Sequence, residues 1–334
     1  MSDSLPLLVE TADRLFGDLA ANPGAPLDAV WTQLADAGFP LLLTSEDEGG
    51  FGGDWADAFA VLRLAGFHAL QAPLADAVVA GWAAGRAGLA PAEGLSLVAQ
   101  GVAGELAEGR FSGRLSGVAT EGGAHSVIAW IGDVCVRLQS TDAARIEVAA
   151  NPAGEPRATL AFAGARAEVG RGAVDVLAAG ALARTAQIAG ALDAALTLSI
   201  GHANERTQFG RPIGKFQALQ QNLAVFAEEA AAVNCAAQAA AGAMDRGEAD
   251  LEIAAAKLRA NMAAGVGAAA AHQAHGAIGF TREHPLHRLT TRLTSWRSEF
   301  GGDRFWSERL GRRVAALGAD RLWPELTRRS DAAF

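Results

Sequence analysis

The chain has 334 residues, half of them hydrophobic and 19% charged, with a net charge of -9. That length exceeds one small core, so two or three domains are expected, and the charged fraction is too low for a disordered chain. The acidic balance argues against general nucleic-acid binding, which needs a basic footprint to displace counterions.

Met1-Ser2-Asp3-Ser4-Leu5-Pro6 has no basic region followed by an apolar run, so no signal peptide is expected. The apolar stretch Ala178–Ala195 is interrupted by Arg184, Gln187 and Asp193 and reads as an alanine-rich helix, not a membrane span. Cys135 and Cys235 stand alone in apolar surroundings, with no CxxC and no histidines at ligand spacing. They read as buried free thiols, with no metal site, and a cytoplasmic location is the expectation.

From Leu5 to about Ala107 the pattern is helical, and residues 1–107 are expected to form an N-terminal α-helical domain. Val30, Leu34, Ala37 and Leu41 fall on one helix face. The run Glu46-Asp47-Glu48-Gly49-Gly50-Phe51-Gly52-Gly53 must break it, and Asp54 is placed to cap the next helix, which carries Phe59, Leu62 and Leu64. Over residues 108–170 the period changes to two, which predicts a short antiparallel β domain. Val134, Val136 and Leu138 alternate with Cys135, Arg137 and Gln139, Arg157 to Phe162 is also extended, and Gly132-Asp133 reads as a two-residue hairpin turn.

Residues 171–334 are helical again. Phe216, Leu219, Leu223, Phe226 and Ala230 form one stripe, and Leu251, Leu258, Met262 and Val266 a second. Four long helices starting near Val174, Phe216, Ala249 and Glu283 suit a C-terminal four-helix bundle. Eight arginines lie between Arg282 and Arg313; they read either as a solvated helix face or as an anion site.

The most specific segment is Arg206-Thr207-Gln208-Phe209-Gly210-Arg211-Pro212-Ile213-Gly214-Lys215-Phe216-Gln217. It is a helix end, a glycine stop, a proline-containing turn and a new helix, with a guanidinium and several amides at the junction. A second segment is Gln273-Ala274-His275-Gly276-Ala277-Ile278-Gly279-Phe280-Thr281-Arg282-Glu283-His284-Pro285-Leu286. Both resemble signatures of the acyl-CoA dehydrogenase family, at a fitting interval. Trp31 to Phe39 and Gly49 to Gly53 are similar to that family's opening helix and loop, so nearly the whole chain is covered.

The resemblance implies a mainly α, acyl-CoA dehydrogenase-like fold and an FAD-dependent α,β-dehydrogenation of an acyl-CoA thioester. FAD accepts a hydride and a carboxylate takes the α proton, while hydrogen bonds to the thioester carbonyl stabilise the enolate. It implies a flavin lying across a subunit interface, and an electron-transfer flavoprotein as acceptor. Arg206, Gln208 and Phe209 match the first flavin motif, with Gln217 following as an amide on the next helix. Gln273, Gly276 and Ala277 match the second, Ala277 standing where the family usually has a second glycine.

The family base is a glutamate before a glycine, about 15 residues beyond the proline matched by Pro285, and that count falls on Phe300-Gly301. Glu299 is one residue early, a rotation of about 100° on a helix, so it serves as the base only where the helix has ended. Gly301-Gly302 offers such a path; a surface glutamate is the other reading. The alternative base position on the first bundle helix reads Ala179-Gly180-Ala181-Leu182, without a carboxylate. Thr120-Glu121-Gly122-Gly123 is a poor echo of the family's Thr-Glu-Pro run. A shortened β domain of this kind resembles partner subunits of heteromeric dehydrogenases. The favoured reading is an enzyme that uses Glu299 as its base, and the alternative is a subunit without turnover of its own that completes the FAD site of a full-length homologue; a homo-oligomer and a heterotetramer with such a homologue both stay open.

Overall fold

The computed structural model describes residues 5–172 and 174–331. Met1 to Ser4, part of the stretch read for a signal peptide, lie outside the described residues. Helices α1 (Leu5–Ala21), α2 (Leu27–Asp36), α3 (Trp55–Phe67) and α4 (Leu74–Arg86) come first. The buried face of α1 is Leu8, Ala12, Phe16 and Leu19, a helical stripe.

The expected stripe through Leu41 is cut short. Helix α2 ends at Asp36, Gly38 turns left-handed at φ 77°, and Phe39–Leu41 is a 3-10 turn. The glycine-rich break and the cap after it are as expected. The Asp57 amide donates to Asp54 Oδ1 at 2.8 Å and the Asp54 amide to Asp57 Oδ2 at 3.4 Å, a reciprocal cap that starts α3.

The strands begin earlier than the period change suggests. They are β1 (Ser96–Val98), β2 (Gly101–Ala107), β3 (Arg110–Val118), β4 (Ser126–Ile131), β5 (Val134–Gln139), β6 (Arg145–Ala150), β7 (Pro156–Arg166) and β8 (Glu168–Arg171). The first two hide within the apparently helical region because β2 is mostly alanine, glycine and exposed positions, with too little apolar contrast for a period of two. Two four-stranded sheets result, ordered β1-β4-β5-β8 and β2-β3-β7-β6. All pairs in them are antiparallel except β1 with β4. The hairpin at Gly132-Asp133 is present, with Ile131 opposite Val134. Leu97, Phe111, Leu115, Val127, Leu138 and Leu160 form the core between these strands.

The C-terminal half contains α5 (Val176–Glu205), the two-residue strands β9 (Thr207–Gln208) and β10 (Arg211–Pro212), then α6 (Gln217–Asp245), α7 (Asp250–His275), α8 (Leu286–Trp296), α9 (Asp303–Leu317) and α10 (Ala319–Asp331). The fold is that of a mainly helical protein with small sheets, and its C-terminal region is helical apart from the β9–β10 hairpin. Two compact units divide the chain: residues through Ala58 with Leu70–Ala183, and Phe59–Ala69 with residues from Arg184 on.

Within the second unit, alanine does the work expected of larger residues. Ala256, Ala260, Ala263, Ala264 and Ala270 are buried on α7, whereas Met262 and Val266 of the expected stripe face outward. Alanine lets helix axes come close, and glycine closer still. A Cβ on Gly190 of α5 would stand 1.8 Å from the Arg63 carbonyl oxygen, and one on Gly66 would stand 2.0 Å from that of Gln187. The two glycines therefore mark a crossing of α3 and α5 that no other residue pair permits.

The expected fourth bundle helix is two helices. The chain leaves α-helical geometry between Trp296 and Asp303, with Phe300 at φ 50° and Gly301 at φ 97°. Lys257 of α7 holds the break: its ammonium donates to Asn261 Oδ1 at 2.6 Å, to the Trp296 carbonyl at 3.0 Å and to the Arg297 carbonyl at 3.4 Å.

Cys135 is buried, as expected, but Cys235 is exposed on α6. The period of α6 turns Cys235 away from its buried face, which runs through Phe226, Ala230, Val233 and Ala237. Among the described residues no helix is long and apolar enough to cross a membrane, and no cluster of His, Cys, Asp and Glu could hold a metal ion.

Candidate functional site

After α5 the chain makes a tight hairpin, with Gln208 opposite Arg211 and Thr207 opposite Pro212. Its two turn residues, Phe209 at φ 51° and Gly210 at φ 77°, are both left-handed, as the primed hairpin turns require. A phenylalanine there is strained, and such strain is typically kept where it aims a side chain. Phe209 is 90% exposed. Its ring meets Phe216 edge-on at 6.0 Å, and the Arg211 guanidinium lies 4.3 Å over that same Phe216 ring. The hairpin is thus stiffened from behind while Phe209 projects. Arg206, Gln208 and Gln217 are exposed beside it, and no carboxylate among the described residues pairs with Arg206.

Helix α7 carries the second segment. It ends at His275, and Gly276 follows at φ 65° with open space where a Cβ would point. Gln273, Gly276 and Ala277 are exposed. The Phe280 ring, 67% exposed, stacks on His272 at 3.9 Å.

The two segments meet. His202, one turn before Arg206, stacks on His275, two residues after Gln273, with ring centroids 4.6 Å apart. His284 packs edge-on against the same His275 at 4.8 Å. Burial, then the neighbouring His275, holds His202 and His284 below the ordinary imidazole range, and His272 likewise. The six residues matched to the flavin motifs, with Gln217 at the start of the next helix, therefore stand on one end of the second unit, and all are exposed.

Glu299 is elsewhere and is not a surface residue. It is buried in the break between α8 and α9, and its Oε2 accepts from Arg184 at 2.7 Å. Arg184 is itself buried on α5, and its guanidinium lies 5.7 Å from both the Trp296 and Phe300 rings. Lys257 is close enough to feel both charges, and burial pushes its ammonium down to about 7. The helix has ended at Glu299, as its use as a base would require, but the carboxylate is neutralised where it stands. Sequence reasoning missed Arg184 and Lys257. The available signal was a cation within an alanine-rich stretch, Arg184 in α5 and Lys257 after three alanines in α7, which in a buried position demands an anion or several acceptors.

Two other expectations resolve. Thr120 follows β3, and its Oγ1 accepts from the amides of Gly122 at 3.0 Å and Ala124 at 3.1 Å. The arginine-rich stretch is largely paired: Arg297 with Asp303, Arg304 and Arg312 with Glu308, Arg309 and Arg313 with Asp250. Those five arginines make no open anion site.

The family model "Acyl-CoA dehydrogenase, C-terminal domain" matches residues 170–314. The chain is 30% identical over 269 residues to the acyl-CoA dehydrogenase IpdE2 of Mycobacterium tuberculosis, covering 78% of each protein. Its fold is similar to a chain of the ChsE4–ChsE5 complex of Mycobacterium tuberculosis, with a TM-score of 0.84 at 23% identity over 96% of this chain and 99% of that one. It is also similar to a chain of the Tcur3481–Tcur3483 steroid ACAD, with a TM-score of 0.85 at 23% identity over 94% and 98%. Both signatures are thus in place on one end of a helical unit, and a relative matches over most of its length. The chain belongs to the acyl-CoA dehydrogenase family.

Proposed function

We propose that this chain is the flavin-site-completing subunit of a heteromeric acyl-CoA dehydrogenase. The assembly it serves removes the α proton and a β hydride from an acyl-CoA thioester, and an electron-transfer flavoprotein is the expected acceptor. FAD supplies the hydride acceptor when bound.

The residues present fit that cofactor's anionic and adenine-bearing half. Arg206 offers an exposed guanidinium with no carboxylate among the described residues to neutralise it, which suits a diphosphate. Gly276 leaves room for close backbone approach. Gln208, Gln217 and Gln273 supply exposed amides, Phe209 an apolar plate, and Ala277 an open backbone position. Outward-facing contacts of this kind suit a flavin shared with a second chain.

One observation carries the choice of subunit. Glu299, the carboxylate one residue before the expected base position, is buried and bonded to Arg184. A base for a weakly acidic carbon must be presented to that carbon, whereas the Glu299 carboxylate is buried and held by the Arg184 guanidinium at 2.7 Å. The names of the structurally similar ChsE4–ChsE5 and Tcur3481–Tcur3483 proteins, each a pair, support the heteromeric form. A second reading keeps Glu299 as the base of a self-sufficient enzyme, released from Arg184 when substrate binds; the non-helical backbone at Phe300 and Gly301 favours it.

Arg206→Ala and Glu299→Gln, each made in the assembled dehydrogenase, decide between these. Arg206→Ala should release FAD, since truncating a desolvated charge contact costs about 2–5 kcal/mol; unchanged flavin content would refute its role. Glu299→Gln should leave turnover nearly unchanged. A loss of about 10²–10⁴-fold with flavin retained would instead make Glu299 the base.

A further inference from the structure

Lys257 of α7 is fully buried, and neither flavin motif uses it. A buried amine needs its donors and acceptors matched in number. As an ammonium it has three N–H groups, and three oxygens receive them: Asn261 Oδ1 at 2.6 Å and the carbonyls of Trp296 and Arg297 at 3.0 and 3.4 Å. As a neutral amine it has two N–H groups and one lone pair. That lone pair also has a match. Asn261 is fully buried, and its Nδ2 has no partner among the described residues. With the amide turned over, Nδ2 donates to Lys257 Nζ. The surroundings of Lys257 therefore suit both of its charge states.

The two states are not equal in free energy. Arg184 of α5 and Arg297, just past α8, repel the ammonium, while Glu299 and Asp303 of α9 attract it. Burial outweighs them and pushes Lys257 down to about 7. The two carbonyls that hold Nζ stand where α8 ends and the non-helical stretch 297–302 begins. In that stretch Phe300 is strained at φ 50°, and Gly301 follows at φ 97°. The same stretch carries Glu299, bonded to Arg184 at 2.7 Å. A short strained segment between two helices is the part of such a unit that opens first.

We infer that residues 297–302 form a proton-operated latch: a proton taken up by Lys257 lifts the segment and draws Glu299 away from Arg184, and loss of that proton closes it. The proton comes from solvent and sits on Nζ, and no other bond is made or broken than hydrogen bonds. Lys257 is thus a positioning residue for Glu299. The latch belongs to the segment itself and does not rest on the flavin reading of Arg206 or on which chain supplies the base.

The sign of the pH dependence follows. An opened segment exposes Nζ to water, where the lysine returns to its ordinary value of 10.5. Between about 7 and 10.5 the open form then holds more protons than the closed one. Rising pH therefore favours closure across that window, by up to about tenfold per pH unit for the single proton. Below pH 7 both forms are protonated, and the slope vanishes.

The test is hydrogen exchange of the full chain, read peptide by peptide by mass spectrometry between pH 6 and 9 and corrected for the intrinsic exchange rate. The expected result is that opening of the peptide covering 297–302 falls by about tenfold or more from pH 7 to 9, while peptides of α6 show no such slope. Lys257→Met should abolish the slope. Asn261→Asp sets a carboxylate beside Nζ and should move the onset of the slope to higher pH, a shift that a loss of packing alone does not produce. It provides the reading if Lys257→Met does not fold. Opening of 297–302 that is flat with pH in the wild type overturns the latch. So does a slope that persists in Lys257→Met, or one that keeps its onset in Asn261→Asp. A slope shared equally by α6 means unfolding of the whole unit and overturns it as well.

Discussion

Glu299 and Arg184 form a buried pair, and such pairs are far more costly to break by halves than to replace together. Arg184→Met should destabilise the protein by about 3–5 kcal/mol, since it strands a carboxylate in a buried site. Adding Glu299→Leu should recover most of that loss. Urea unfolding of the two single variants and the double variant measures the coupling, and strictly additive losses would mean the pair does not hold the break between α8 and α9. Lys257 is a separate case. Burial pushes it down to about 7 from an ordinary value of 10.5, so above pH 7 the folded chain sheds a proton that the unfolded chain keeps. Stability is then lowest below pH 7 and rises as pH climbs from 7 toward 10.5. Lys257→Met should flatten that rise in denaturant midpoints measured at pH 6.5 and 9.5.

At the scale of elements, much of the order of the chain was legible. The glycine break before Asp54, the cap it provides, the Gly132-Asp133 hairpin and the starts of α5, α6 and α7 all follow from local chemistry. What failed did so for physical reasons. Strand β2 has too little apolar contrast to show its period, and α7 buries alanines while exposing Met262 and Val266, so its larger residues misdirected the choice of face. The division of the fourth bundle helix was visible only as Gly301-Gly302, because its anchor, Lys257, is some 40 residues away. The site was legible where a short segment carries its own chemistry, as at Arg206 and Gln273. It was illegible where a role depends on a distant partner, as Glu299 depends on Arg184. The crossing of α3 and α5 yields a sharp test. Gly190→Ala puts a methyl group into the Arg63 carbonyl and should destabilise by about 3 kcal/mol, at the upper end of overpacking. Gly201→Ala, with open space around it on the same helix, should be neutral or slightly stabilising; equal thermal midpoints for the two variants would contradict the close crossing.

For the whole molecule, the exposed signature residues and the exposed Met262 and Val266 are available to the second chain that the proposed function requires. The central claim is that this family member completes a flavin site with a second, full-length chain and does not run the reaction by itself. Its most direct test is flavin stoichiometry by native mass and absorbance, for the protein expressed alone and co-expressed with a full-length homologue. The account predicts sub-stoichiometric flavin and no acyl-CoA oxidation for the chain alone, and about one FAD per heterodimer with activity for the pair. A yellow homo-oligomer that oxidises an acyl-CoA unaided would contradict it.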